Sequence, residues 1–171
     1  MKRNFQSILF LFILFFTVRS AFSDSSSAFD KLKALEGKWE GTAKWSGART
    51  SEYKMDAEYS LTGNGTAVVE NLIVENKTMM TSVYHMDGDT LRMTHFCGAG
   101  NQPRLKASSY DPESSKVVFE MVDITNLSKP DAPHVFGAEM VFQSQKEITL
   151  SFQFTGDGKI STELIRLHRI E

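Results

Sequence analysis

The chain has 171 residues, of which 41% are hydrophobic and 23% charged, and a formal net charge of −2. That length suits one domain with a single core, and a near-neutral balance without a basic run argues against nucleic-acid binding, which needs Lys and Arg against phosphates. Cys97 is the sole cysteine, which excludes an internal disulfide and leaves stability to packing.

The opening MKRNFQSILFLFILFFTVRSAFS places Lys2 and Arg3 ahead of an apolar run from Ile8 to Phe16, followed by Ala21, Phe22 and Ser23. This order predicts a secretory signal peptide over residues 1–23, cleaved after Ser23. The competing reading is a membrane anchor, but a spanning helix needs about 18 apolar residues, and Arg19 interrupts the run before that. Cleavage leaves 148 residues, 24–171, with 16 basic against 21 acidic side chains, a balance of −5. The expected product is a monomer exported to the periplasm or medium, with no membrane span in the mature protein. Exposed thiols in oxidising compartments pair or oxidise, so Cys97 reads as a small buried residue, with a free reactive thiol as the alternative.

Next, DSSSAFDKLKALEG sets Phe29, Leu32 and Leu35 at helical spacing, with serines to cap the start and Gly37 to stop it. It predicts one short amphipathic helix. In GKWEGTAKWS, Trp39, Gly41, Ala43 and Trp45 share a face opposite Glu40, Thr42 and Lys44. SEYKMDAEYSL sets Tyr53, Met55, Ala57, Tyr59 and Leu61 opposite Glu52, Lys54, Asp56 and Glu58. Such period-two alternation means strands with one face in a core and one in water. Turn signals GNG, ENK, DGD, DPESS and GDG separate eight further strand candidates. Ten short strands joined by tight polar turns predict an all-β, antiparallel up-and-down barrel preceded by the helix, because closure removes exposed edges. Only NLSKPDAP, Asn126 to Pro133, is too long for a tight hairpin; it is either a plain surface excursion or a cover for a cavity mouth.

The densest polar stretch is THFCGAGNQPR, Thr94 to Arg104. Strand parity sends Leu91, Met93 and His95 to the core face and Arg92, Thr94 and Phe96 outward. A histidine on a core face must be hydrogen-bonded or meet a ligand; the partners considered are a backbone carbonyl or the Asn101 and Gln102 amides. His95 and Cys97 share a face but are separated by roughly 6–7 Å along a strand, too far for a nucleophile and base. His85 lies before a turn read at Asp87-Gly88, which sets it opposite Thr90, on a different rung from His95. No HxH, HExxH, CxxC or GxSxG pattern appears. No metal, cofactor or catalytic residue is assigned. Gly98 and Gly100 permit positive φ, while Arg104 offers a fork of donors suited to an anion or to a neighbouring acid.

The Gly-x-Trp opening LEGKWEGTAKW resembles the start of calycin-type barrels, which include lipocalins and nitrobindin-like domains. GTAVVENL and SVYHMDGDTLRMTHFCGAGNQPRLKA resemble an uncharacterised group of bacterial lipocalin-like proteins, many exported, that share a T-H-[FY]-C-x-x-G-N-Q-P-R signature. The resemblance implies a small barrel with an internal cavity and no established activity. Some related barrels bind haem through a late histidine; His168 stands in LIRLHRIE, but its surroundings depart from that pattern. The leading expectation is a barrel binding a small apolar or amphipathic molecule, with His95, Asn101, Gln102, Arg104 and His85 near the site. The alternatives are a structural or interaction domain with a side-chain-filled barrel, and an enzyme using His95 with Arg104.

Overall fold

Alternation of apolar and polar residues runs through ten consecutive strands in the computed structural model, which describes residues 25–170. The expected signal peptide lies outside the described residues. Helix α1 (Ser25–Lys33) precedes β1 (Gly37–Gly47), β2 (Ser51–Thr62), β3 (Ala67–Val74), β4 (Lys77–Asp87) and β5 (Thr90–Phe96). They are followed by β6 (Gln102–Asp111), β7 (Lys116–Thr125), β8 (His134–Phe142), β9 (Glu147–Gly156) and β10 (Lys159–Arg169). Each strand pairs with its chain neighbour, and β10 returns to β1, so the sheet is a closed antiparallel barrel. The expected fold class is the observed one.

Turn chemistry sets the register. Glu75-Asn76 and Asp157-Gly158 both carry two consecutive positive φ angles, the conformation whose twist matches paired strands. The β4–β5 turn differs from the expected one. It is centred on Gly88-Asp89, so His85 faces Arg92 and Asp87 faces Thr90. The physical reason is that Gly88, at φ 58°, takes the first central position of the turn, which favours glycine, and Asp87 remains in the strand.

Ala28, Phe29 and Leu32 on α1 join a core with Trp39, Tyr59, Leu91 and Leu167, so the helix closes the barrel end from which β1 departs. Trp39 Nε1 donates to Leu35 O at 2.9 Å. The Arg169 guanidinium lies 4.6 Å from the Trp39 ring and donates to Glu36 O and Ala34 O, both at 2.6 Å. These bonds satisfy carbonyls at the helix end, where a cation is also favoured by the dipole. The last strand thus clamps the helix to the barrel.

Gly41 lets β1 coil tightly against β10. A Cβ there would stand 1.8 Å from Arg166 O, a backbone atom that cannot turn aside. Gly41→Ala is expected to destabilise by at least about 2 kcal/mol through forced strand displacement, measured by urea denaturation; an unchanged midpoint would show that the strands separate freely here.

Candidate functional site

The antiparallel order sends the β1–β2, β3–β4, β5–β6, β7–β8 and β9–β10 connections to the end opposite α1. There the inward side chains do not fill the barrel, and a cavity of about 700 Å³ opens. Met55, Val74, Met80, Cys97 and Phe154 form its apolar wall. Small-molecule sites have volumes of about 300–1,000 Å³ and the same mix of apolar walls with few polar groups.

The polar group of the cavity is a cluster across the β1–β10 seam. Trp45 pairs with Glu163 in register, and parity turns Glu163 inward with Ile165 and Leu167. Tyr53 OH donates to Glu163 Oε1, and Trp45 Nε1 donates to Tyr53 OH at 3.3 Å. Glu163 is 0% exposed, and its Oε2 has no hydrogen-bond partner among the described residues. Burial pushes its carboxyl pKa up, while the Tyr53 bond and the charge of Arg49 pull against it. Burial and Glu163 together push Tyr53 up to about 12. The Arg49 guanidinium lies 4.2 Å from the Trp45 ring, whose other contact is Phe154 at 4.8 Å.

A second buried polar cluster includes His95. Glu70 Oε2 accepts from Tyr59 OH at 2.8 Å and Tyr84 OH at 3.1 Å, and Glu70 Oε1 accepts from Ser82 Oγ at 3.1 Å. Ser82 Oγ stands 3.0 Å from His95 Nδ1. Because Ser82 gives its one proton to Glu70, it accepts from His95 Nδ1–H, which leaves Nε2 as the bare acceptor of the ring. Nε2 has no partner among the described residues, and the ring packs 4.8 Å from Phe152. Burial raises Glu70 to about 7 against the pull of its three hydroxyl donors, and burial lowers His95 to about 4.

The sequence-derived candidates take different places. His95 is fully buried on the inward face of β5 and does not line the cavity, with Ser82 rather than an amide or carbonyl as partner. Asn101, 3% exposed, donates from Nδ2 to Pro133 O at 2.8 Å and ties the β5–β6 connection to the 126–133 loop. Gln102 donates to Gly100 O at 3.2 Å and accepts from Thr125 Oγ1 at 3.0 Å. Arg104 is exposed and grips Asp123 with two bonds, of 2.5 and 2.6 Å. His85 has the outward parity of β4, with Nδ1 3.2 Å from Met86 O. His168 is also exposed and sits 3.0 Å from Glu40. From the eleven-residue stretch, Cys97, Gly98 and Ala99 border the cavity; burial pushes the Cys97 thiol up, which disfavours the thiolate.

Sequence reasoning missed Tyr53, Glu163 and Glu70. The signal was available: parity in TAVVENLIV puts Glu70 between Val68 and Leu72, and parity in TELIRL puts Glu163 beside Ile165. An acid on an apolar face is as informative as a histidine there. Among the described residues, no group of three or more His, Cys, Asp or Glu side chains is placed to hold a metal. No helix there is long and apolar enough to cross a membrane.

A carboxyl whose pKa rises on folding contributes most stability at low pH and loses it as pH climbs towards the folded value. His95 acts with the opposite sign and is common to both proteins in a comparison with Glu70→Gln. This variant should therefore gain on wild type by about 1.4 kcal/mol per unit between pH 4.5 and 7, read by urea denaturation; parallel profiles would mean that Glu70 titrates alike in folded and unfolded chains. Asn101→Ala is expected to cost about 1–2 kcal/mol, because it removes a part-buried bond and strands Pro133 O. Arg104→Ala, in the same series, should shift the midpoint less, and the reverse order would overturn this ranking.

No family model and no curated protein matches the chain. Among solved structures, that of Rv2717c from M. tuberculosis is similar at 16% identity and a TM-score of 0.61, over 84% of this chain and 98% of that one. A protein of unknown function from the DUF3598 family of Nostoc punctiforme is similar at 14% identity and a TM-score of 0.57. That match covers 81% of this chain and 48% of the other. At these identities the likeness shows a shared β-barrel fold.

Proposed function

We propose that this chain is an exported, lipocalin-like barrel that binds a small, largely apolar molecule in its open end. The observation that carries this reading is the cavity of about 700 Å³ with one buried, unpartnered carboxylate oxygen in its wall. A barrel that served only as a scaffold gains nothing from leaving apolar wall uncovered, since each uncovered Å² forgoes about 25 cal/mol. The β5–β6 connection supplies part of that wall through Cys97, Gly98 and Ala99, with Asn101 holding it in place. The basic start and apolar run of residues 1–23 support export, and THFCGAGNQPR supports kinship with the lipocalin-like group.

Gly98 provides a direct test. A Cβ on it would make ordinary contacts with Met79 O at 3.5 Å and Met80 Cγ at 3.9 Å, so a side chain can start there without a backbone shift, at a position that borders the cavity. Gly98→Phe is expected to weaken binding of the fluorescent apolar probe anilinonaphthalene sulfonate at least about ten-fold while leaving the melting temperature unchanged. Native mass spectrometry of protein from its own host should show an extra mass that organic extraction removes. A bare chain, together with equal probe binding by Gly98→Phe, would defeat the reading.

A further inference from the structure

Resting on the reading of the cavity as a ligand site, we propose that its ligand is an apolar alcohol, which enters hydroxyl first and donates to Glu163 Oε2. Both donors of the Trp45, Tyr53 and Glu163 triad are already committed. Tyr53 OH gives its proton to Glu163 Oε1, and Trp45 Nε1–H goes to Tyr53. What the cluster offers to a guest is Oε2, buried and unpartnered among the described residues. An ether, ester or ketone brings only acceptors and meets an acceptor there. A carboxylate meets a like charge at Oε2 and is drawn instead to Arg49 and Lys159, which also border the cavity. An alkylammonium finds the Trp45 face already covered by the Arg49 guanidinium at 4.2 Å, and Lys159 also borders the cavity, so two cations oppose its entry. Of these groups only a hydroxyl suits both protonation states of Glu163, because it donates to the carboxylate and accepts from the acid.

Octan-1-ol, 1-methoxyoctane, octanoate and octylammonium form a matched set, and the change in Trp45 fluorescence reports their binding. The only other tryptophan, Trp39, is buried against α1 at the far end. Wild-type protein is expected to bind the alcohol at least about ten-fold more tightly than the ether, the effect of one hydrogen bond to a carboxylate. In Glu163→Gln, Tyr53 holds the amide oxygen and the amide NH₂ faces the cavity. Alcohol and ether should then bind within about two-fold of each other, because both accept. Glu163→Leu, a buried apolar replacement, should likewise abolish the preference, and its ether binding checks that the cavity is intact.

Equal wild-type affinity for alcohol and ether would overturn the proposal and leave the cavity reading standing. So would tighter binding of octanoate or octylammonium, or a preference for the alcohol that persists in both variants. Failure of all four probes to bind wild type would overturn the cavity reading as well.

Discussion

Backbone pairing of β10 with β1 sets Ala43 opposite Ile165 and Trp45 opposite Glu163. It removes the last free edges of the sheet and commits every inward side chain to one shared interior. Everything specific to this barrel follows from how that interior is divided. At one end α1 supplies Ala28, Phe29 and Leu32 to a packed core, and Arg169 from the closing strand fastens the helix. At the other end no such plug exists among the described residues, and the wall residues face one another across space. One seam therefore produces both a stable half and an open half.

The two inward acids show the difference between those halves. Glu70 is deep in the packed half, and three hydroxyls donate to it. A buried carboxyl with that many donors is a structural group, held where it can hydrogen-bond in either protonation state. Glu163 is equally buried but receives one donor, and its second oxygen has none among the described residues. Leaving a buried polar atom unpaired costs about 1–3 kcal/mol. The fold satisfies Glu70 fully at one position and leaves Glu163 half satisfied at the cavity wall.

How much of this was legible in the sequence depends on which interactions set it. Period-two alternation and turn residues are local, so the helix, the ten strands and closure followed from residues such as Trp39, Met55 and Tyr59, all buried as their parity required. The turn at Gly88-Asp89 was misplaced by one residue because Asp-Gly and Gly-Asp both read as turn pairs, and only the backbone decides which residue takes the positive φ. The site lay further from view. Tyr53 and Glu163 are 110 residues apart in sequence, and they meet only because β2, β1 and β10 are adjacent in the closed sheet. Parity tells that Glu163 faces inward; it does not tell which tyrosine it meets, or that the barrel is unfilled there.

THFCGAGNQPR illustrates why a dense polar motif need not be the site itself. Strands β5 and β6 are paired only from Arg92 to Thr94 against Lys106 to Arg104, and the chain from Cys97 to Asn101 lies outside the strands and must satisfy its backbone in another way. Cys97 N donates to Asn101 O at 3.0 Å, Gly100 N donates to Cys97 O at 2.9 Å, and Asn126 reaches Gly100 O at 2.6 Å. Asn101 adds its bond to Pro133 O, and Arg104 anchors the outer wall through Asp123. The amides and the arginine hold the shape of a connection that has left the sheet. That shape turns Cys97, Gly98 and Ala99 towards the cavity, and the small side chains there keep it open. The polar residues of the motif are the frame, and its small residues form the wall.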